Sequence, residues 1–237
     1  MGMLTRRTLC GCILGTGLFA AVGARAREQE CAVFTRDRQA EISPRDAIAL
    51  LREGNQRFTD GRSINCDLMQ QVRETAQQQS PFAAILGCMD ARVPPEIVFD
   101  QRIGDIFCTR IAGNFANADI LGSLEYATEV AGAKAVVVLG HTSCGAIKGA
   151  LDNVKLGNLT SLLENFGPAI AALDPNERSH DADSAKLVTK VAINNARLTA
   201  KSLTTRSSIL AKRVDEGQLT IVAAMHDVAT GKISWLE

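Results

Sequence analysis

The chain has 237 residues, enough to bury one sizeable core, and its 46% hydrophobic and 22% charged residues are the proportions of a globular protein. Lys plus Arg (26) equals Asp plus Glu (26), so no global field draws the chain to nucleic acid or to an anionic membrane, and a small or neutral substrate fits the balance. With 19 Gly and 6 Pro, collagenous and low-complexity classes are excluded as well.

Residues 1–26 stand apart. Arg6 and Arg7 precede an apolar stretch from Leu9 to Val22, which ends in Ala24-Arg25-Ala26, the layout of a signal peptide with a twin-arginine-like start. Gly11, Gly15 and Gly17 interrupt the stretch, which falls short of the roughly 20 residues that span a bilayer. The expectation is an exported, periplasmic protein with no stable membrane span after signal removal. Of the 7 cysteines, Cys10 and Cys12 leave with the signal. The remainder is odd, so at least one thiol lies outside any intramolecular disulfide. If Cys88 and Cys144 bind metal, an oxidising compartment permits a bridge between Cys31 and Cys66. Cys108 sits in an apolar run and is expected to pack as a small buried hydrophobe.

Residues 27–80 form an expected N-terminal helical arm. Ser43 caps a helix of about 14 residues, with Pro44 at its first position and Asp46 placed for a capping box. Ala47, Leu50, Leu51 and Phe58 give it one apolar face, and Gly61 closes it. Residues 65–80 are polar and Gln-rich and read as a second, wet helix leading to Pro81.

Residues 81–237 form the expected catalytic domain. Short apolar runs at 82–87, 106–110, 135–140 and 219–224 have the character of strands buried on both faces. Helical stretches from Ile120 to Ala131 and from about Ser184 to Val214 fall between them. This alternation predicts an α/β fold, a mainly parallel central sheet flanked by helices, with functional groups at the carboxyl ends of the strands.

Two strand ends carry chemistry: G-C-M-D-A-R at 87–92 and G-H-T-S-C-G at 140–145. Two thiolates and an imidazole suit Zn²⁺, and three protein ligands, Cys88, His141 and Cys144, leave a fourth tetrahedral position for water. Arg92 is placed to hold the Asp90 carboxylate bidentately and keep it charged. Asp90 then either accepts a hydrogen bond beside the metal or ligates the metal and blocks the water. Each feature alone also fits a bland reading: a core histidine, inert thiols, a structural ion pair. Their convergence on one sheet edge is what argues for a site.

These residues resemble the β-carbonic anhydrase family. Its C-x-D-x-R and H-x-x-C motifs stand here as Cys88-Met89-Asp90-Ala91-Arg92 and His141-Thr142-Ser143-Cys144. The runs R-V-P-P-E, I-A-G-N (111–114) and S-L-E-Y-A (123–127) are also family-like. The resemblance implies one zinc ion per chain on Cys88, His141 and Cys144, with Asp90 and Arg92 as the dyad beside the bound water. It implies reversible hydration of carbon dioxide to bicarbonate and a proton by attack of zinc-bound hydroxide. It also implies a substrate pocket of Gln79, Phe107, Ala112 and Tyr126, an oxyanion-binding amide near Gly145, and a homodimer or dimer of dimers. Hydrolysis of a related heteroallene, carbon disulfide or carbonyl sulfide, and an inactive binding or assembly role are the alternatives. Two departures stand out. Ala91 replaces a serine common in the first motif, and M-H-D at 225–227 replaces Y-Y-D. His226 then either shuttles protons or lies at the surface, and the second is expected; His180 is expected to be solvated.

Overall fold

The computed structural model describes residues 31–174 and 185–236. The expected signal peptide and His180 lie outside these residues.

The arm begins with α1 (Arg36–Glu41), capped by Thr35, and α2 (Pro44–Thr59). The Ser43 hydroxyl accepts from the Asp46 amide while the Asp46 carboxylate accepts from the Ser43 amide, so the capping box forms as the spacing predicts. Ala47, Ile48 and Leu51 bury the inner face of α2, with Leu50 and Phe58 half-buried beside them. The second arm helix is shorter than expected: α3 (Leu68–Thr75) starts at Asp67, whose side chain accepts from the Met69 and Gln70 amides. A Cys31–Cys66 disulfide ties the start of the arm to the loop before α3, with the two Cα atoms 5.6 Å apart.

All four expected strands form: β1 (Ala83–Gly87), β2 (Ile106–Arg110), β3 (Ala135–His141) and β4 (Thr220–His226). A fifth, β5 (Ile233–Leu236), runs antiparallel at the edge beside β4. The order is β2-β1-β3-β4-β5, and the first four strands are parallel. Alternate side chains of β1 and β3 feed two separate cores. Ala84, Leu86, Val136 and Val138 face one, and Ala83, Ile85, Val137 and Leu139 face the other with α2. That is why these strands read as continuous apolar runs.

Short helices α4 (Pro95–Val98), α5 (Ala118–Glu125), α6 (Gly145–Leu151), α7 (Gly157–Glu164) and α8 (Gly167–Ala171) fill the connections. The stretch expected as one helix at 120–131 is α5 followed by a π-turn at Tyr126–Val130. The long C-terminal helix is broken into α9 (Ala185–Arg206) and α10 (Ser208–Asp215), because Ser207 caps the second with its hydroxyl.

Two buried contacts fix α2 against the sheet. Asn55 donates to the Val98 and Gly231 carbonyls and accepts from the Ile233 amide, so it is satisfied on three sides. Gly54 lets the helix close on the end of α4: a Cβ there would sit 1.8 Å from the Phe99 carbonyl oxygen. Gly54→Ala should therefore lower stability by about 2 kcal/mol or more through overpacking. Gly61→Ala, where nothing lies within 4 Å but φ is +66°, should cost only about 1–2 kcal/mol of backbone strain. Thermal or urea melts of the two variants check the difference, and equal losses would contradict this close-approach account.

Candidate metal centre

The strand order puts a topological switch point between β1 and β3, where the chain leaves in opposite directions and opens a crevice at the carboxyl ends. Cys88 follows directly on β1, and His141 is the last residue of β3. Cys144 precedes α6, reached through Ser143 at a left-handed φ of 55°. All three are buried, and their ligand atoms lie within 4.8 Å of one another.

His141 is wholly buried, and its Nδ1 lies 2.9 Å from the Thr142 carbonyl oxygen. A carbonyl only accepts, so Nδ1 carries the proton and Nε2 presents a lone pair. That Nε2 has no hydrogen-bond partner, a costly state for a buried nitrogen unless something occupies it. The neighbouring Cys144 side chain drives the Cys88 pKa well down against the effect of burial, helped by His141 and by the Gly113 and Asp90 amides. Cys144, beside Cys88 in a buried site, is pushed up. Two sulfurs and one imidazole lone pair within 4.8 Å of one another form a soft donor set that suits zinc, with one tetrahedral position left over.

Asp90 stands beside this cluster, its Oδ2 4.0 Å from His141 Nε2. Arg92 engages both carboxylate oxygens, Nε to Oδ1 at 2.9 Å and a terminal nitrogen to Oδ2 at 2.8 Å, and the Arg92 amide adds a third bond to Oδ1. The Arg92 hydrogen bonds hold the Asp90 carboxyl well below the usual carboxylate range despite some desolvation. In this structure Asp90 is turned to Arg92. The same guanidinium reaches the Ser143 carbonyl at 3.3 Å and so bridges the two motif loops. Arg110, at the end of β2, clamps the first loop through the Cys88 and Asp90 carbonyls at 2.8 and 2.5 Å.

The remaining expected site residues divide into two groups. Ala112 lies in the turn whose next residue, Gly113, donates its amide to the Cys88 sulfur at 3.2 Å, and Gly145 opens α6 directly after Cys144. Phe107 and Tyr126 pack edge to face, 6.2 Å between centroids, against a separate cavity of about 690 Å³ that no metal-cluster residue lines. Gln79 is exposed on the loop before the amino end of β1, whereas Cys88 follows its carboxyl end. Within one chain, then, Gln79, Phe107 and Tyr126 do not line the metal cluster.

His226 also departs from expectation. It is 2% exposed rather than at the surface, because β4 extends to pair it with His141. Burial lowers its pKa, with His141 adding to the effect, and neither ring nitrogen has a partner. Cys108 is half-buried, its thiol pushed up by desolvation and by Glu96. Sequence reasoning missed Arg110 and Gly113; the polar end of an apolar strand and the glycine of I-A-G-N were the available signals.

Residues 83–233 match the carbonic anhydrase family model. Carbonic anhydrase 2 of Mycobacterium tuberculosis is 34% identical over 196 residues, covering 80% of this chain and 91% of that protein. The carbonic anhydrase of Mycolicibacterium smegmatis is 32% identical over 197 residues, 81% of this chain and 92% of its own. The crystal structure of the β-carbonic anhydrase CafA of Aspergillus fumigatus superposes with a TM-score of 0.65 at 26% identity, over 81% of this chain and 89% of that one. Sequence, fold and a centre of two sulfurs and one imidazole at the sheet switch point agree, and the chain belongs to the β-carbonic anhydrases.

Proposed function

We propose that this enzyme hydrates carbon dioxide reversibly to bicarbonate and a proton, using zinc held by Cys88, His141 and Cys144. The observation that carries the reading is the buried, unpartnered Nε2 of His141 facing two sulfurs, with Asp90 fixed alongside by Arg92. When bound, zinc supplies acidity, lowering the pKa of a water from about 15.7 to about 7. The chain's own groups do the rest. Nδ1–H of His141, spent on the Thr142 carbonyl, fixes the ring so that Nε2 alone is offered. Asp90 keeps its charge and so accepts a hydrogen bond from the attacking oxygen, orienting it toward the carbon of substrate. Its folded pKa is depressed, so the charged form persists through neutral pH and is lost only as pH falls below the ordinary aspartate value of about 4.

Asp90→Asn should retain zinc but lose most turnover, since an amide donates where the carboxylate only accepts. Cys88→Ser should lose the metal. Zinc content by elemental analysis and hydration rates by stopped flow check both, and a fully active Asp90→Asn variant would refute the orienting role.

A second copy of the chain completes the substrate pocket in this reading. Three features support it: the cavity lined by Phe107 and Tyr126 is separate from the metal cluster, β2 is a free sheet edge, and Tyr126 and Val130 are 52% and 71% exposed. A free apolar edge beside an open cavity is a surface for association. Tyr126→Arg should dissociate the assembly at micromolar concentration and reduce kcat/KM while zinc content holds. Sedimentation analysis would count against the pocket-sharing assignment if the native chain were monomeric and active.

Export to the periplasm completes the proposal. The Cys31–Cys66 disulfide supports it, since such bridges persist in oxidising compartments. Intact mass of protein recovered from the periplasmic fraction should correspond to cleavage after Ala26, with Cys31 and Cys66 resistant to alkylation until reduced. Recovery from the cytoplasm with both thiols free would overturn it.

A further inference from the structure

The sulfur of Cys88 is not bare on its protein side: the Gly113 amide donates to it at 3.2 Å. That amide points at the sulfur because of the turn it belongs to. Ile111 donates to the Gly87 carbonyl and its own carbonyl accepts from Asn114, closing a four-residue turn with Gly113 in the third position at φ +77°. This left-handed third position is what a type II turn demands, and glycine meets it without strain. Asn114 follows at φ +45°, a less comfortable conformation for a residue with a Cβ, so the turn carries a conformational cost that something must offset.

The Asn114 side chain does not anchor the turn, because its buried Nδ2 has no partner. The anchor comes from elsewhere in the chain. Asn195 on α9, 3% exposed, donates its Nδ2 to the Gly113 carbonyl at 2.8 Å across 82 residues of sequence. Phe166 fills the space where a Cβ on Gly113 would stand, 2.2 Å from its ring, so the turn is pressed between the ring and the amide.

We propose that Asn195 is a positioning residue for the metal centre, holding Gly113 so that its amide donates to the sulfur of Cys88. The role rests on the proposed metal site and deepens it. A hydrogen bond to a ligating thiolate draws charge from the sulfur and fixes its direction, so it tunes both how tightly the metal is held and how electron-rich it is. Asn195 does this at one remove, without touching metal or substrate.

The test replaces zinc by cobalt(II) and reads the thiolate-to-cobalt charge-transfer absorption, together with zinc affinity by chelator competition. Asn195→Leu is close to isosteric and cannot donate; Asn195→Ala removes the donor with a smaller side chain if the leucine variant does not fold. Asn194→Ala is the control, since Asn194 on the same helix donates to the Ala169 carbonyl instead. The expected result is a shifted charge-transfer band and an increase of about 10- to 100-fold in the zinc dissociation constant for the Asn195 variants. The Asn194 control should leave both unchanged even where its melting temperature falls. A folded Asn195 variant with the parental band and affinity would overturn the positioning role while leaving the metal site standing. Absence of any thiolate–cobalt band in the parent protein would instead refute the metal reading on which the inference depends.

Discussion

The parallel register of β1 on β3 is the constraint on which the site depends. Gly87 pairs with Leu139, so the first strand ends two residues short of His141 in register and delivers Cys88 to the same sheet edge. Side chains alternate strictly along a strand, and a slip of one residue would exchange the two cores and reverse the side on which Cys88 emerges. Both cores therefore act as a lock on the metal centre. Leu86 and Val138 fill one while Ile85 and Val137 fill the other, and a one-residue slip satisfies neither. The ligands contribute no register information of their own; apolar packing supplies it.

Much of this was legible in the chain. Four apolar runs of strand length gave the parallel sheet, and two polar motifs at run ends gave the cluster, because local pattern and spacing carry that information. The Ser43 capping box was readable for the same reason: its partners lie three residues apart. What was not legible depends on contacts distant in sequence. Asn55 is an ordinary polar residue in a helix until the Val98, Gly231 and Ile233 backbone groups surround it. His226 stands next to Asp227, which suggests a surface, and its pairing with His141 buries it instead. β5 is four residues long, too short for an alternation to show. The division of Gln79, Phe107 and Tyr126 from the metal cluster is a property of the fold as a single chain, which motif spacing cannot express.

The electrostatics of the site follow from how few charges it contains. The chain has no net charge, and the cluster buries two sulfurs and an imidazole with no cationic side chain ligated among them. The two thiols pull each other apart: Cys144 beside Cys88 lowers the Cys88 pKa, while Cys88 and burial raise that of Cys144, since two thiolates side by side would be repelled and poorly solvated. Both sulfurs would have to be thiolates to hold a divalent cation, so metal uptake would release thiol protons and strengthen as pH rises. Arg92 is excluded from this exchange. It is half exposed, and Asp90 engages it through both carboxylate oxygens, so its charge stabilises the carboxylate without competing for the sulfurs.

Two kinds of sulfur chemistry share this chain, and the sheet separates them. The Cys31–Cys66 bridge belongs to the arm, where Phe34 packs on Phe82 and bonds to Asp105, next to the amino ends of β1 and β2. The metal thiols emerge at the carboxyl ends. Five residues of strand separate the two ends, on the order of 17 Å at about 3.3 Å per residue. Thiol–disulfide exchange requires a thiolate to reach a disulfide sulfur. Cys88, the sulfur most ready to ionise, is 4% exposed and faces the sheet edge farthest from the bridge. Burial and distance thus keep the Cys88 sulfur and the oxidised pair from exchanging, and the arm can be stapled covalently without reaching the two buried thiols.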